Sequence, residues 1–136
     1  MSAISDLGLL LKSMAPKLVD GSYVFCTVAG PITEFLVFDP VATFQEKEGL
    51  TLILDESKAI EAGLSYDGRF RQITLTVHSS LEAVGLTAAV SSKLAACGIS
   101  ANVVAAYYHD HVYVQEEKAL EAMEALHELS QADQEV

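Results

Sequence analysis

The chain has 136 residues, of which 51% are hydrophobic and 20% charged, and its formal net charge is −11. This length and composition predict one ordinary domain or two small ones with enough apolar side chains for a core. The negative charge argues against nucleic acid as a partner, because phosphate binding needs clustered Lys and Arg. The sequence has neither an apolar run of membrane-spanning length nor a signal-peptide pattern, so we expect a cytoplasmic protein without a membrane partner.

The first half is predicted to contain a helix, three strands and a second helix. They are expected, in that order, at residues 6–14, 23–28, 41–45, 50–54 and 56–62. Ser5 is the expected N-cap of the first helix, and Pro16 stops that helix. The apolar segment 35–38 lies between two prolines and is predicted as a short strand or a loop.

The second half is predicted to run strand, helix, strand, strand, helix, which is the ferredoxin-like order without its last strand. The first four elements are expected at residues 71–78, 85–96, 99–107 and 112–114. The strand at 71–78 has the clearest signal, because its apolar and polar residues alternate with a period of two. The final helix is predicted to place its apolar side chains on one face. These are Leu120, Met123, Leu126 and Leu129.

Two stretches sixty positions apart repeat one another. Residues 52–62 read LILDESKAIEA and residues 112–122 read VYVQEEKALEA, with identity at five aligned positions. Repeated small units are typical of binding or regulatory modules. We predict an N-terminal unit over 1–70, a C-terminal unit over 71–130 and a loose tail over 131–136. The two ferredoxin-like units are expected to merge into one α+β body, with antiparallel sheets, helices on one face, and the strand at 71–78 shared.

Several short segments carry a resemblance to a known family, and the strongest reads ITLTVHSSLEAVGLT at 73–87. The others are at 10–14, 21–26, 48–52, 98–105 and 107–111. Together they resemble the ACT domain, a ferredoxin-like module that senses amino acids and other small ligands, and in particular the small free-standing tandem-ACT proteins. The resemblance implies a non-enzymatic regulatory protein that binds an amino acid or related carboxylate and forms a homodimer.

The predicted ligand site is centred on the loop that precedes the helix at 85–96. A helix N-terminus leaves backbone N–H groups unpaired and carries a partial positive charge, so it suits a carboxylate. ACT domains commonly have a polar residue followed by Pro-Gly here, whereas this chain keeps only the glycine. The predicted ligand-binding residues are Ser79, Ser80, Leu81, Glu82, Ala83, Val84, Gly85, Asn102, His109, Asp110 and His111. In a plainer interpretation, Gly85 only starts the helix and Asn102 is a polar turn residue.

The segment His109–His111 allows more than one interpretation. Residues two apart share a face of a strand, so His109 and His111 could meet one metal ion together with His78. A ligand-lining or packing role and a plain solvated turn are the alternatives, and the prediction is no metal. The two cysteines, Cys26 and Cys97, lack metal-ligand spacing and are predicted to be small core residues.

No phosphate loop, nucleophile elbow or catalytic triad spacing occurs, so we expect no catalytic residues and no cofactor. A second function is suggested by the acidic end of the chain. From Gln115 onward there are seven acidic residues against Lys118 alone. The alternative to a ligand sensor is therefore a ligand-free structural or interaction module that uses this acidic helix face.

Overall fold

The computed structural model describes residues 6–132. Its helices and strands are α1 (Leu7–Ser13), β1 (Pro16–Leu18), β2 (Tyr23–Val28), β3 (Ala42–Gln45), β4 (Leu50–Asp55), α2 (Glu56–Ala62), β5 (Phe70–Leu75), α3 (Leu86–Ala96), β6 (Asn102–Ala105), β7 (Asp110–Gln115) and α4 (Ala119–Ala132). Short 3₁₀ helices occupy Ile32–Glu34, Leu36–Phe38 and Glu116–Lys118. Within the described range, no helix combines the length and apolar character that a membrane span requires.

The chain forms two compact units. The central unit is Gly21–Phe70, and the terminal unit joins the segment that ends at Asp20 to the segment that begins at Arg71. The N-terminal segment belongs to the terminal unit because α1 and β1 contact α4, and α1 also contacts α3. The sequence analysis instead divides the chain at 70/71 into two units that follow one another. That division stays a prediction.

The central unit has an antiparallel sheet with β4 between β3 and β2. Pairing of β2 with β4 runs from Tyr23 opposite Asp55 to Val28 opposite Leu50, and Phe70 pairs with Tyr23 on the other edge of β2. The order is ferredoxin-like, with 3₁₀ helices between β2 and β3 in place of a crossover helix. The buried core consists of Val24, Cys26, Leu50, Leu52, Leu54 and Ala59.

In the terminal unit, β5 lies between β1 and β7, and β6 pairs with the other edge of β7. The order β5, α3, β6, β7, α4 lacks a final strand, and β1 occupies that strand's place beside β5. The pairing is antiparallel, with Pro16 opposite Leu75 and Leu18 opposite Ile73. The helices and strands of this unit share one buried hydrophobic core. It includes Leu10, Ile73, Leu75, Val90, Leu94, Val112, Val114, Ala122 and Leu126.

The predicted α+β class with two ferredoxin-like units is confirmed. The strand predicted at 71–78 is β5, whose Phe70 belongs to the sheet of the central unit and whose Ile73 and Leu75 pair with β1 in the terminal unit. The segment 35–38 is neither a strand nor a plain loop, because most of it forms a 3₁₀ helix. The strand predicted at 99–107 is shorter, since only Asn102–Ala105 pairs with β7.

Four details differ from the sequence expectation or lie outside the described residues. Leu120 is 77% exposed, so its assignment to the apolar face of α4 was wrong; Ala119 and Ala122 are buried instead. Cys97 is exposed, whereas Cys26 is buried as predicted. The expected N-cap Ser5 lies outside the described residues, and Asp6 caps α1 by accepting from the Leu9 N–H at 2.9 Å. Of the predicted tail, 131–132 is helical and 133–136 lies outside the described range.

Candidate ligand site in the terminal unit

A small cavity lies where the loop after β5 meets the start of α3 and the start of β7. Its volume is about 70 Å³. Its lining residues are Ser79, Ser80, Leu81, Ala83, Leu86, Thr87, Ala105 and Asp110. The structure thus brings together five of the predicted site residues, four from the loop and Asp110 from β7. At roughly 30 Å³ for each water molecule, the cavity has room for about two waters or one carboxylate group.

The helix that begins at this cavity has no side-chain cap. Asp6 and Asp55 cap α1 and α2 through their carboxylates, but the N-cap of α3 is Gly85, which provides no capping side chain. The first backbone N–H groups of a helix have no partner within the helix. Because Leu86 and Thr87 form the first turn and line the cavity, an anion placed there would meet the positive end of the helix dipole.

Ser80 organises the loop and is one of the residues that line the cavity. Its Oγ accepts the Glu82 N–H at 3.1 Å, and its carbonyl accepts the Ala83 N–H at 3.0 Å. Since the hydroxyl oxygen accepts in the first of these bonds, its hydrogen remains available to donate. The loop therefore offers a hydroxyl donor close to the uncapped helix start.

Asp110 is the buried titratable group of the cavity, with 8% of its surface exposed. Burial raises the pKa of Asp110 above its ordinary value of 3.8, while His111 and His109 act in the opposite direction. In this setting a nearby cation stabilises the ionised carboxylate, and without one the protonated form is favoured. It can accept hydrogen bonds from a ligand ammonium group, or it can donate one to a ligand carboxylate when protonated.

Gly85 has a structural role rather than a place in the cavity lining. Its φ is +104°, which side chains of L residues rarely adopt, and a Cβ at this position would lie 3.0 Å from Leu7 Cδ2. The turn into α3 thus favours glycine through its positive φ, and the Leu7 side chain would have to shift to admit a Cβ. The sequence interpretation of Gly85 as a tight helix start is the one that its surroundings favour.

Several predicted site residues do not line the cavity. Val84 is 84% exposed, and Glu82 contributes its backbone N–H to the turn rather than its carboxylate. Asn102 begins β6 and donates from Nδ2 to the Tyr113 carbonyl at 3.2 Å, while Ala105 at the end of the same strand lines the cavity. At about 3.3 Å per residue, these two positions lie roughly 10 Å apart along β6.

His111 belongs to a polar network between β7 and β5. Its Nδ1 lies 3.0 Å from Thr74 Oγ1 and 3.2 Å from Gln72 Nε2, and Tyr113 donates to Gln72 Oε1 at 2.9 Å. An amide nitrogen only donates, so Nδ1 accepts and the imidazole is neutral with its proton on Nε2. Burial lowers the pKa of His111 below its ordinary value of 6.5, His109 lowers it further, and Asp110 partly opposes this.

His109 has a different neighbour, in the loop after β5. Its Nδ1 lies 3.2 Å from the Val77 carbonyl, a group that only accepts, so the hydrogen is on Nδ1. His78 contacts Tyr107 and Tyr108 instead, with ring centroids 6.2 and 5.2 Å apart. Among residues 6–132, no group of three or more His, Cys, Asp or Glu side chains is arranged to hold a metal ion.

Two known protein-family models match this chain. One ACT-domain model matches residues 2–71, and a second ACT-domain model matches residues 68–128. The chain belongs to the ACT-domain family. Its two ACT matches follow one another along the sequence, as the repeat and the ferredoxin-like strand order predict. A search of the curated proteins finds no match.

Solved structures include close and distant relatives of this tandem ACT chain. A protein of unknown function from Vibrio cholerae, described as a possible transport protein, is 59% identical with a TM-score of 0.85; the alignment covers 92% of this chain and 96% of that one. An Agrobacterium tumefaciens protein is 18% identical with a TM-score of 0.69, and the alignment covers 85% of this chain and 87% of that one. The ligand-free regulatory subunit of aspartate kinase from Thermus thermophilus is 12% identical with a TM-score of 0.68, and the alignment covers 87% of this chain and 98% of that one.

Sequence reasoning missed three lining residues: Leu86, Thr87 and Ala105. The first two form the opening turn of α3, and the argument about unpaired N–H groups already pointed to that turn. Ala105 carries no chemical signal, because it enters the lining only through the position where β6 ends. No pattern among the residues 99–107 marks where that strand ends.

Proposed function

We propose that this ACT-domain protein is a non-enzymatic regulatory module that binds a small carboxylate ligand, of the amino-acid class, in the cavity before α3. The observation that carries the proposal is the meeting of an uncapped helix start with the Asp110 carboxyl group in one cavity. The ligand carboxylate would accept from the first N–H groups of α3 and from Ser80. The ligand ammonium group would face Asp110, which gives the two ends of an amino acid opposite partners.

The small volume restricts the ligand. With about 70 Å³ available, the cavity has room for the carboxylate group, and the rest of a larger ligand would extend outward past the exposed Leu81. A ligand held in this way can also contact a second copy of the chain. We propose that ligand binding stabilises a homodimer interface and that a partner reads this arrangement, which is a shift between two populations. A cytoplasmic location stays a prediction from the sequence.

The test is thermal unfolding in the presence of each of the twenty amino acids and a set of small metabolite carboxylates. A ligand at one hundred times its Kd stabilises the folded state by about 2.7 kcal/mol, which is a shift of several degrees. Analytical ultracentrifugation with and without the active compound would then show whether it increases the mass of the assembly. A panel without any stabilising compound would contradict the proposal.

A pair of substitutions at one position places the site. Thr87→Asp puts a carboxylate at the first turn of α3, where it favours the helix itself but repels a ligand carboxylate. Thr87→Asn has nearly the same shape without the charge. We expect Thr87→Asp to abolish the ligand-induced shift and Thr87→Asn to keep most of it. Equal shifts in the two variants would place the ligand elsewhere.

The alternative function uses an acidic face formed by α4 and the 3₁₀ helix before it, where the side chains of Glu117, Glu121, Glu124 and Glu128 are exposed. Two of these carboxylates are already engaged within the chain: Glu128 with Lys93 at 2.9 Å and Glu121 with Lys118 at 3.5 Å. These pairs reduce the charge that a basic partner would meet. The interaction function becomes the favoured one if the ligand panel is flat and the chain co-purifies with a basic protein through α4.

A further inference from the structure

A second cleft lies on the terminal unit, at the turn between β6 and β7. Its volume is about 350 Å³, and it is lined by Thr76, His78, Tyr107, Tyr108 and His109. None of these residues lines the cavity before α3, so an argument about this cleft does not rest on the function proposed above. We propose that the cleft is a binding site for small protonated amines.

The aromatic side chains of the cleft are unusually open to solvent. Tyr107 is 70% exposed and Tyr108 is 62% exposed. Their ring centroids are 5.0 Å apart at an interplanar angle of 73°, and His78 lies 5.2 Å from Tyr108 at 49°. Rings inclined to one another do not form a slot for a flat ligand. They present electron-rich faces from more than one direction, and such faces attract a cation within about 6 Å.

The Thr76 oxygen is an acceptor in the cleft. Its hydroxyl donates to the Ala15 carbonyl at 2.7 Å, which leaves the oxygen lone pairs to accept. His109 Nδ1 lies 3.2 Å from the Val77 carbonyl and is engaged there. A ligand with N–H groups complements the Thr76 acceptor, whereas a ligand that only accepts hydrogen bonds does not.

Charge favours a cation over an anion. Within the described part of the chain no Lys or Arg lines the cleft, and the full sequence carries a formal net charge of −11. The field of such a chain attracts cations and repels anions at its surface. No Asp or Glu of residues 6–132 lines the cleft either, so the ring faces and the Thr76 oxygen are the features that would hold the cation. The ligand class is therefore a small alkylammonium ion rather than a metal ion or a phosphate.

The experiment compares n-butylammonium chloride with n-butanol in a titration followed by the backbone amide signals of the full chain in ¹H–¹⁵N NMR spectra. The two probes have similar size and differ in charge, and alkylamines are protonated at about pH 8. We expect the ammonium ion to bind at least about fivefold more tightly, with the largest shifts at Tyr107, Tyr108 and His109. Equal affinities, or shifts spread evenly over the surface, would overturn the proposal.

Variants separate the ring face from the phenol hydroxyl. Tyr108→Phe retains the ring and is expected to keep the affinity within about twofold, whereas Tyr108→Leu is expected to weaken it about fivefold. Phe44→Leu, at a 71% exposed position of β3 in the central unit, controls for the loss of an exposed aromatic side chain. If Phe44→Leu weakened amine binding as much as Tyr108→Leu, the cleft would not be the site.

Discussion

Asp110 and His111 are consecutive residues at the start of β7, and burial drives both side chains toward their neutral forms. Burial raises the pKa of Asp110 and lowers that of His111. Alternate residues of a strand point to opposite faces: Asp110 lines the cavity before α3, while His111 contacts Thr74 and Gln72. The two groups therefore affect the free energy of unfolding in opposite pH directions.

The first prediction concerns Asp110. Because its pKa is raised in the folded state, the folded chain keeps this proton to higher pH than the unfolded chain does. The resulting stability is fully present below the ordinary value of 3.8 and is lost as the pH rises through the folded pKa. We expect Asp110→Asn to gain stability relative to the wild type over this interval and to hold a constant advantage above it. Urea unfolding measured at a series of pH values provides the comparison.

Asp67→Asn, at an exposed position of the central unit, is the matched control for Asp110→Asn. It removes one negative charge from a chain of net charge −11 without changing the cavity. If both substitutions altered stability in the same way at every pH, general charge repulsion would account for the result, and the burial of Asp110 would not.

The second prediction concerns His111, where the sign is reversed. Its pKa is lowered in the folded state, so its contribution is fully present above the ordinary value of 6.5 and is lost as the pH falls through the folded pKa. Protonation of Nδ1 would also place a hydrogen against the amide donor of Gln72. We expect His111→Gln to lose less stability than the wild type when the pH is lowered from above 6.5, as measured by urea unfolding.

His127→Gln removes a histidine from an exposed position of α4, away from the contacts between β5 and β7. It shows how much of the effect comes from deleting any histidine. A pH profile of His111→Gln that coincides with that of His127→Gln would rule out a special role for the network.

The sequence repeat predicted more of the fold than any single motif. Leu54 and Val114 occupy equivalent positions and are both fully buried, and Ala59 and Ala119 are buried as well. The interpretation was wrong at Leu120, although its equivalent, Ile60, is also largely exposed at 63%. Helical periodicity alone cannot decide which side of a helix faces the core when alanine occupies the buried positions, because alanine adds little to an apolar pattern.

Strand β1, which the sequence analysis did not predict, shows a second limit of prediction from sequence. Pro16–Leu18 is only three residues long and starts with a proline, so it gives no alternating pattern. It becomes a strand because Ile73–Leu75 offers an open edge in the terminal unit. The candidate site shares this limit: the loop could be located from the helix start, but the choice between Asn102 and Ala105 depends on where β6 ends.

The third prediction concerns the glycine at the start of α3. Gly85→Ala combines an unfavourable φ of +104° with a Cβ only 3.0 Å from Leu7 Cδ2. We expect it to lower the free energy of unfolding by about 1 to 3 kcal/mol. Gly98→Ala is the matched control at the other end of the same helix, because its φ is +72° and nothing lies within 4 Å of the added Cβ. Chemical denaturation of both variants separates backbone strain from the steric contact.

A double substitution tests the contact directly. In a Leu7→Ala background the close side chain is absent, so the additional cost of Gly85→Ala should fall toward that of Gly98→Ala. If the cost of Gly85→Ala were the same in both backgrounds, the approach of α1 would not be what restricts position 85.

The fourth prediction uses two leucines of α4 to test which face is buried. Leu126 has no exposed surface and lies in the core of the terminal unit, whereas Leu120 is 77% exposed. Leu126→Ala is expected to lower the free energy of unfolding by about 2 to 5 kcal/mol, since it removes buried methyl groups and leaves a cavity. Leu120→Ala makes the same chemical change on a solvated surface and should alter stability by no more than about 0.5 kcal/mol. Equal effects in denaturant titrations would mean that Leu120 is covered in solution, for example by a second copy of the chain. Unfolding at several protein concentrations would then show a midpoint that depends on concentration.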